Sequence, residues 1–226
     1  KWPLFKALKL NRNSEESLKN LHVIIFKKSR KLVKPELIAG EPSLGSLTLV
    51  TYRLKEASSR DKKIISRMLE KSLAFKVRKQ VYLFPFVKRR TYEKYYGKIF
   101  GPEDLCRKID ELNGEAYIEY NLILIHPRRE SALLINQIRN RVLGQLNMVI
   151  ADSKVLMREM KTSFDDERIS KRISELKRRL EVAINLEELL RRIYRISCRK
   201  EVETAYKIFC CCRSRYKKIK NEGAYQ

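Results

Sequence analysis

Between residues 46 and 127 the chain alternates strand-like and helix-like runs, and no other feature constrains its fold as tightly. Ser46–Leu54 (SLTLVTYRL) is rich in the β-branched and aromatic residues that suit a pleated surface. Ser58 and Asp61 stand at capping-box spacing, and Ile64, Ile65, Met68, Leu69 and Leu73 follow at helical intervals. Val77–Val87 (VRKQVYLFPFV) reads as a second strand that ends or bulges at Pro85, because proline has no N–H for the ladder. Gly101-Pro102-Glu103-Asp104 opens another helix, with proline in the first turn and acids at the positive end of the dipole. That helix runs to about Leu112 and stops at Asn113-Gly114, and Ala116–Ile125 is a third strand closed by His126-Pro127. The order predicts an α+β domain of the ferredoxin-like βαββαβ type, a sheet with helices on one face. The fourth strand comes either from Tyr92–Phe100 or from a division of Val77–Val87.

The flanks have a different character. Residues 1–45 form an N-terminal extension, with a short helix over Glu15–Leu21, a strand at Leu21–Phe26 and a connector through Ser29–Ser43 with a second strand near Glu36–Ala39. Residues 128–226 are helical throughout. Leu134, Ile135, Ile138, Val142, Leu146, Val149 and Ile150 mark one amphipathic helix over Glu130–Met160. Thr162–Asp166 breaks it, with Ser163 and Asp166 at capping-box spacing. Ile169, Ile173, Leu176, Leu180 and Ala183 mark a second helix, and Glu201–Lys220 a third. The steps of four and three are those of a helical hairpin's seam.

The net charge of +24 is spread along the whole chain: +6 over residues 1–45, +7 over 46–127 and +11 over 128–226. Self-repulsion on this scale destabilises a compact state unless polyanions or salt offset it. A phosphate backbone is the partner that such charge fits first; an anionic membrane surface and a merely solvated cationic surface are the other readings. No apolar run reaches the 18–20 residues that span a bilayer, and the N-terminal residues lack a signal-peptide pattern. Five cysteines, three of them consecutive, make no spaced disulfide framework. A cytoplasmic location and no membrane partner are therefore expected, with a homodimer compatible with the sequence.

Constellations for catalysis are sparse. His22 and His126 are too far apart to form a motif, and no glycine-rich loop precedes a Gly-Lys-Ser/Thr. No catalytic residue, metal or cofactor is expected. Cys210, Cys211 and Cys212 fan over roughly 200° of a helix and cannot converge on one ion. They read as packing residues of a seam, against a soft-metal or redox cluster with Cys198 beside lowering arginines. Lys88, Arg89 and Arg90 followed by Tyr92, Tyr95 and Tyr96 combine cations for phosphates with rings for unpaired bases. The same stretch also reads as a solvated loop whose tyrosines cover the sheet. The runs Lys171–Arg179 and Arg191–Arg199 carry the same sign of charge onto the helices. No helix-turn-helix pattern is evident, so base reading lacks an obvious reader.

One resemblance joins these features. The strand Leu49-Val50-Thr51-Tyr52-Arg53-Leu54, then Ser58-Ser59-Arg60, Arg67-Met68-Leu69, Gln80-Val81-Tyr82-Leu83-Phe84-Pro85 and Asp110-Glu111-Leu112-Asn113-Gly114-Glu115-Ala116 resemble the ferredoxin-fold domain of the chromate-resistance (ChrB-like) regulators and the phenylacetate-pathway repressors. The likeness continues through Arg139 to about Cys212. It implies a DNA-binding transcriptional regulator of a resistance operon, with DNA rather than RNA as partner. A protein that coats RNA or DNA without sequence choice is the alternative. The CRISPR-associated nucleases that share the fold carry an aspartate at the end of the first strand; Arg53 stands there here and cannot hold Mg²⁺. The expected nucleic-acid contacts are Lys88, Arg89, Arg90, Tyr92, Tyr96, Arg53, Arg60, Arg178 and Arg179.

Overall fold

The computed structural model describes residues 26–38, 41–88, 94–95, 98–125, 127–162 and 164–223. The helix expected over Glu15–Leu21 and most of the Leu21–Phe26 strand lie outside the described residues. Among the described residues twelve elements follow in chain order. They are β1 (Phe26–Lys28), β2 (Leu37–Ile38), β3 (Glu41–Pro42), β4 (Leu47–Arg53), α1 (Ser59–Glu70), β5 (Phe75–Arg78), β6 (Val81–Pro85), α2 (Pro102–Glu111), β7 (Glu115–Leu124), α3 (Pro127–Thr162), α4 (Asp166–Tyr194) and α5 (Arg199–Gly223). The protein is a mixed α+β structure built on a five-stranded antiparallel sheet in the order β1-β7-β4-β6-β5, with β2 and β3 paired separately.

The sheet differs from the four-stranded expectation in having β1, which pairs with β7 at one edge. The division of Val77–Val87 is the alternative that holds. Lys79-Gln80 turns the chain, with Gln80 at φ +64°, and β5 pairs back on β6 with Phe75 opposite Leu83. β6 ends at Pro85; the ladder then resumes one residue later, where Phe86 N–H donates to the Ser46 carbonyl at 2.9 Å. In β7 an extra residue opposes β4 between Glu119 and Leu122, and Asn121 takes φ +59° there. Asparagine tolerates that conformation better than a β-branched residue does.

Both faces of β4 are covered, so its alternation sorts two cores. Val50 and Tyr52 pack with Ile65 and Leu69 of α1 and Leu105 and Ile109 of α2. Leu47 and Leu49, with Phe75, Leu83, Leu122 and Leu124, pack against Leu134, Ile135, Ile138 and Val142 of α3. The helical region and the sheet thus share a core. The C-terminal half of α3 continues past the sheet and packs with α4 and α5 through Leu146, Val149, Leu156, Ile169, Leu180, Leu186, Ala205, Phe209 and Cys212. Asp165, rather than Ser163, caps α4: its carboxylate accepts from Arg168 N–H at 3.1 Å. Ser163 lies outside the described residues. Asp166 ties the far end of α5 to this turn, accepting from Tyr216 Oη at 2.6 Å and Lys220 Nζ at 2.9 Å.

Side chains of α3 also close the sheet's β5 edge. Gln137 mimics a strand, accepting from Lys76 N–H at 3.0 Å and donating to Lys76 carbonyl at 3.2 Å. Arg141 donates to the carbonyls of Leu69, Ser72 and Ala74 at 3.0, 2.9 and 2.8 Å. These carbonyls lie at the end of α1 and in the link to β5, where the helical ladder stops; Leu69 carbonyl also accepts from Ser72 N–H and Oγ.

The capping box of α1 forms as the spacing predicts. Asp61 N–H donates to Ser58 Oγ at 3.1 Å and Ser58 N–H to Asp61 Oδ2 at 3.0 Å. Ser58→Ala is expected to lower stability by about 1 kcal/mol. Urea unfolding should show a lower midpoint with an unchanged slope; an unchanged midpoint would remove the cap from the account of α1.

Candidate nucleic-acid interface

Among the described residues the expected contacts do not form one cluster. Lys88 follows β6 by three residues and is exposed, whereas Arg53 ends β4 and Arg60 begins α1, both exposed. Because Leu47 pairs with Pro85 and Thr51 with Val81, Lys88 lies at the end of β4 opposite to Arg53. The strand between them spans roughly 20 Å. Arg53 faces Glu115 across the ladder, and Lys55 forms an ion pair with the same Glu115. Arg89, Arg90, Tyr92 and Tyr96 lie outside the described residues. Tyr95 is buried in the core, with Lys94 Nζ 5.6 Å from its ring centroid. Burial, with Glu188 adding to it, pushes its phenol up to about 12. At that position the tyrosine serves packing.

On α4, neighbours differ in availability. Arg179 bridges Asp152 at 3.1 Å and Glu175 at 2.7 Å, so its charge is already matched. Arg178 is exposed. Burial first, then the positive charges of Arg178 and Arg67, push the Lys71 ammonium down. Arg67, Lys71 and Arg178 therefore form a small cationic group where α1 ends. Further along, Arg191 pairs with Glu187 and Arg192 with Glu188. The arginine-rich run Arg191–Arg199 is partly neutralised by the acids one turn earlier, an arrangement typical of a solvated helix face.

Among the described residues a long surface of one sign lies on α5. From residue 204 to residue 221 the sequence holds Lys207, Arg213, Arg215, Lys217, Lys218 and Lys220 and no carboxylate. Ala205, Phe209 and Cys212 point into the core, which turns Lys207, Arg213 and Lys217 to solvent. Among the described residues none of these three has an ion pair. Lys200, Lys207 and Lys218, separated by 7 and 11 residues, share one line of the helix, about 27 Å long at 1.5 Å per residue. Tyr206, 54% exposed, stands beside this face on the side of Arg213 and Lys217. The sequence signal for this face is an acid-free run on an amphipathic helix.

The cysteine triplet separates as helical geometry requires: Cys210 is half-buried, Cys211 exposed and Cys212 buried. Burial pushes the Cys212 thiol up, against the lowering effect of Arg172 and Arg215. Among the described residues no group of three or more His, Cys, Asp or Glu side chains converges as metal ligands would. Among the described residues, too, no helix is long and apolar enough to cross a membrane. No protein-family model, curated protein or solved structure matches this chain.

Proposed function

We propose that the protein binds nucleic acid through its sugar–phosphate backbone, with the exposed face of α5 as the main contact. The observation that carries this reading is the acid-free run of six cations over residues 204–221, held rigid by the helix's buried seam. A line of lysines on a straight helix matches a regular row of phosphates, whose one charge per ~1.7 Å of duplex axis rewards any such array. Lys88 and the group at Arg53 and Arg60 extend the positive surface to both ends of the sheet.

The finer reading is a DNA-binding regulator of the chromate-resistance type. The order β4-α1-β5-β6-α2-β7, with the strands side by side as β7-β4-β6-β5, supports a ferredoxin-like unit to which β1 is added. Long cationic side chains favour backbone contact over base reading, which supports the alternative of a coating protein that does not choose sequences. Arg53 at the strand end supports a binding role rather than metal-dependent cleavage.

Fluorescence anisotropy with a labelled DNA duplex, repeated over a range of salt concentrations, tests the proposal. Log affinity is expected to fall linearly with log salt, at a slope of about −0.9 for each phosphate neutralised. Competition by unrelated duplexes and by single-stranded RNA then separates operator choice from general coating. Affinity that does not respond to salt, or no binding at low salt, would overturn the backbone reading.

A further inference from the structure

Lys88 also belongs to a cavity. A space of about 440 Å³ lies between the Lys34–Glu36 segment, the residues after β6 and the C-terminal end of α4. That volume falls in the range of small-molecule sites. Its lining divides by chemistry. Lys34, Lys88, Arg192 and Arg195 bring positive charge, Phe86 and Ile193 bring apolar surface, and Glu36 is the one carboxylate among the described lining residues. Arg192 is matched by Glu188, but Lys34, Lys88 and Arg195 have no ion pair among the described residues.

The walls are anchored before any ligand arrives. Val33 N–H donates to Ser46 Oγ at 2.9 Å and Ser46 N–H to Val33 carbonyl at 2.8 Å, which holds Lys34 in place. Ser43 N–H donates to the Glu36 carbonyl at 2.6 Å, and Phe86 N–H to the Ser46 carbonyl at 2.9 Å. Gly45 lets the strands meet here: it has φ +64°, and a Cβ on it would come 2.7 Å from Pro35 N. Arg195 ends α4 in the left-handed region at φ +59°, where glycine is the usual residue. A guanidinium is thus kept at a position that backbone preference would give to glycine, and it lines the cavity.

We propose that this cavity binds one nucleoside 5′-monophosphate unit. Three unpaired cations suit a phosphate dianion, Phe86 and Ile193 offer a surface for a flat base, and Glu36 can accept from a ribose hydroxyl or an exocyclic amine. A bare inorganic anion would leave the apolar wall unused, and a neutral aromatic would leave the cations unmatched. The inference does not rest on backbone binding by α5, because a free mononucleotide tests it without any polymer.

Isothermal titration with AMP should give saturable binding with a dissociation constant on the order of 10–100 µM, the range open to a ligand of this size. Adenosine and inorganic phosphate should each bind at least about ten times more weakly, since each fills half of the site. Arg195→Gly removes the guanidinium while keeping a residue suited to the left-handed backbone, so its melting temperature should not fall. It should weaken AMP about tenfold, as should Phe86→Ala. A short DNA strand with a 5′-phosphate that displaces AMP better than its 5′-hydroxyl counterpart would support the proposal with a strand end as the source. Displacement by neither strand would support it with a free nucleotide as the source, and equal displacement by both would overturn it, because an internal phosphate would then suffice. No saturable AMP binding, inorganic phosphate binding as tightly as AMP, or wild-type affinity in both variants would overturn the proposal.

Discussion

Arg141→Met is expected to destabilise the protein by roughly 3–5 kcal/mol, the largest effect of any single change away from the apolar core. The guanidinium reaches from α3 under the end of α1 and donates to three backbone carbonyls, those of Leu69, Ser72 and Ala74. Methionine keeps much of the stem's packing but offers no donor. The Leu69 carbonyl keeps Ser72 N–H at 3.2 Å and Ser72 Oγ at 2.8 Å as donors, so the loss falls mainly on the carbonyls of Ser72 and Ala74, whose own residues are buried. Hydrogen bonds to a charged donor contribute about 1.5–3 kcal/mol each, and an unsatisfied buried acceptor costs about 1–3 kcal/mol. Some of that loss is recovered by water, because the side chain is only partly enclosed and opens toward a second cavity beside Tyr52 and Tyr82. Arg141→Lys returns donors from a single, shorter-reaching nitrogen in place of the two-nitrogen fork and should recover only part of the loss. Thermal and urea unfolding of the two variants measure this directly. A methionine variant within about 0.5 kcal/mol of wild type, the usual range of a surface substitution, would mean that the link between α1 and β5 does not depend on this arginine.

Replacing Lys207, Arg213 and Lys217 together by alanine should change binding rather than folding. The three side chains are exposed on α5, and alanine is the better helix former, so stability should hold or rise slightly. If each cation neutralises one phosphate of a duplex, the slope of log affinity against log salt should become shallower by about 2.7. Between 50 and 200 mM salt the wild type would then lose roughly 40-fold more affinity than the variant, which follows from the same slope. The loss should be alike on unrelated duplexes, since phosphates carry no base identity. Anisotropy titrations of both proteins at four or five salt concentrations give the two slopes. An unchanged slope would move the contact away from α5, to the cations from Lys88 onward in the sequence or to the group at Arg53 and Arg60.

The alternation from Ser46 to Ile125 determined the strands and both helices of the sheet layer, because hydrophobic period and capping chemistry are local. Ser58 with Asp61, and Gly101-Pro102 with Asp104, start helices wherever they are followed by the right spacing. The periodicity after residue 128 likewise determined three helices and the residues of their seam, from Ile169 to Ala183. Tertiary structure decided what such patterns cannot carry. The hairpin of β5 and β6, which begins at Phe75 before the expected Val77–Val87 run, depends on Gln80 taking a left-handed conformation, which pairing with β4 stabilises: Tyr52 N–H donates to the Gln80 carbonyl at 3.1 Å. The addition of β1 to β7, and the use of α3 to cover the sheet's other face, are contacts between residues some 90 positions apart. For the interface the division is the same. Composition determined that the surface is cationic. Only the fold decided that Arg179 is spent on Asp152 and Glu175, and that Arg53 and Lys88 stand at opposite ends of a strand. Charge is a property each residue brings with it, whereas its availability depends on which carboxylates the folded chain places within reach.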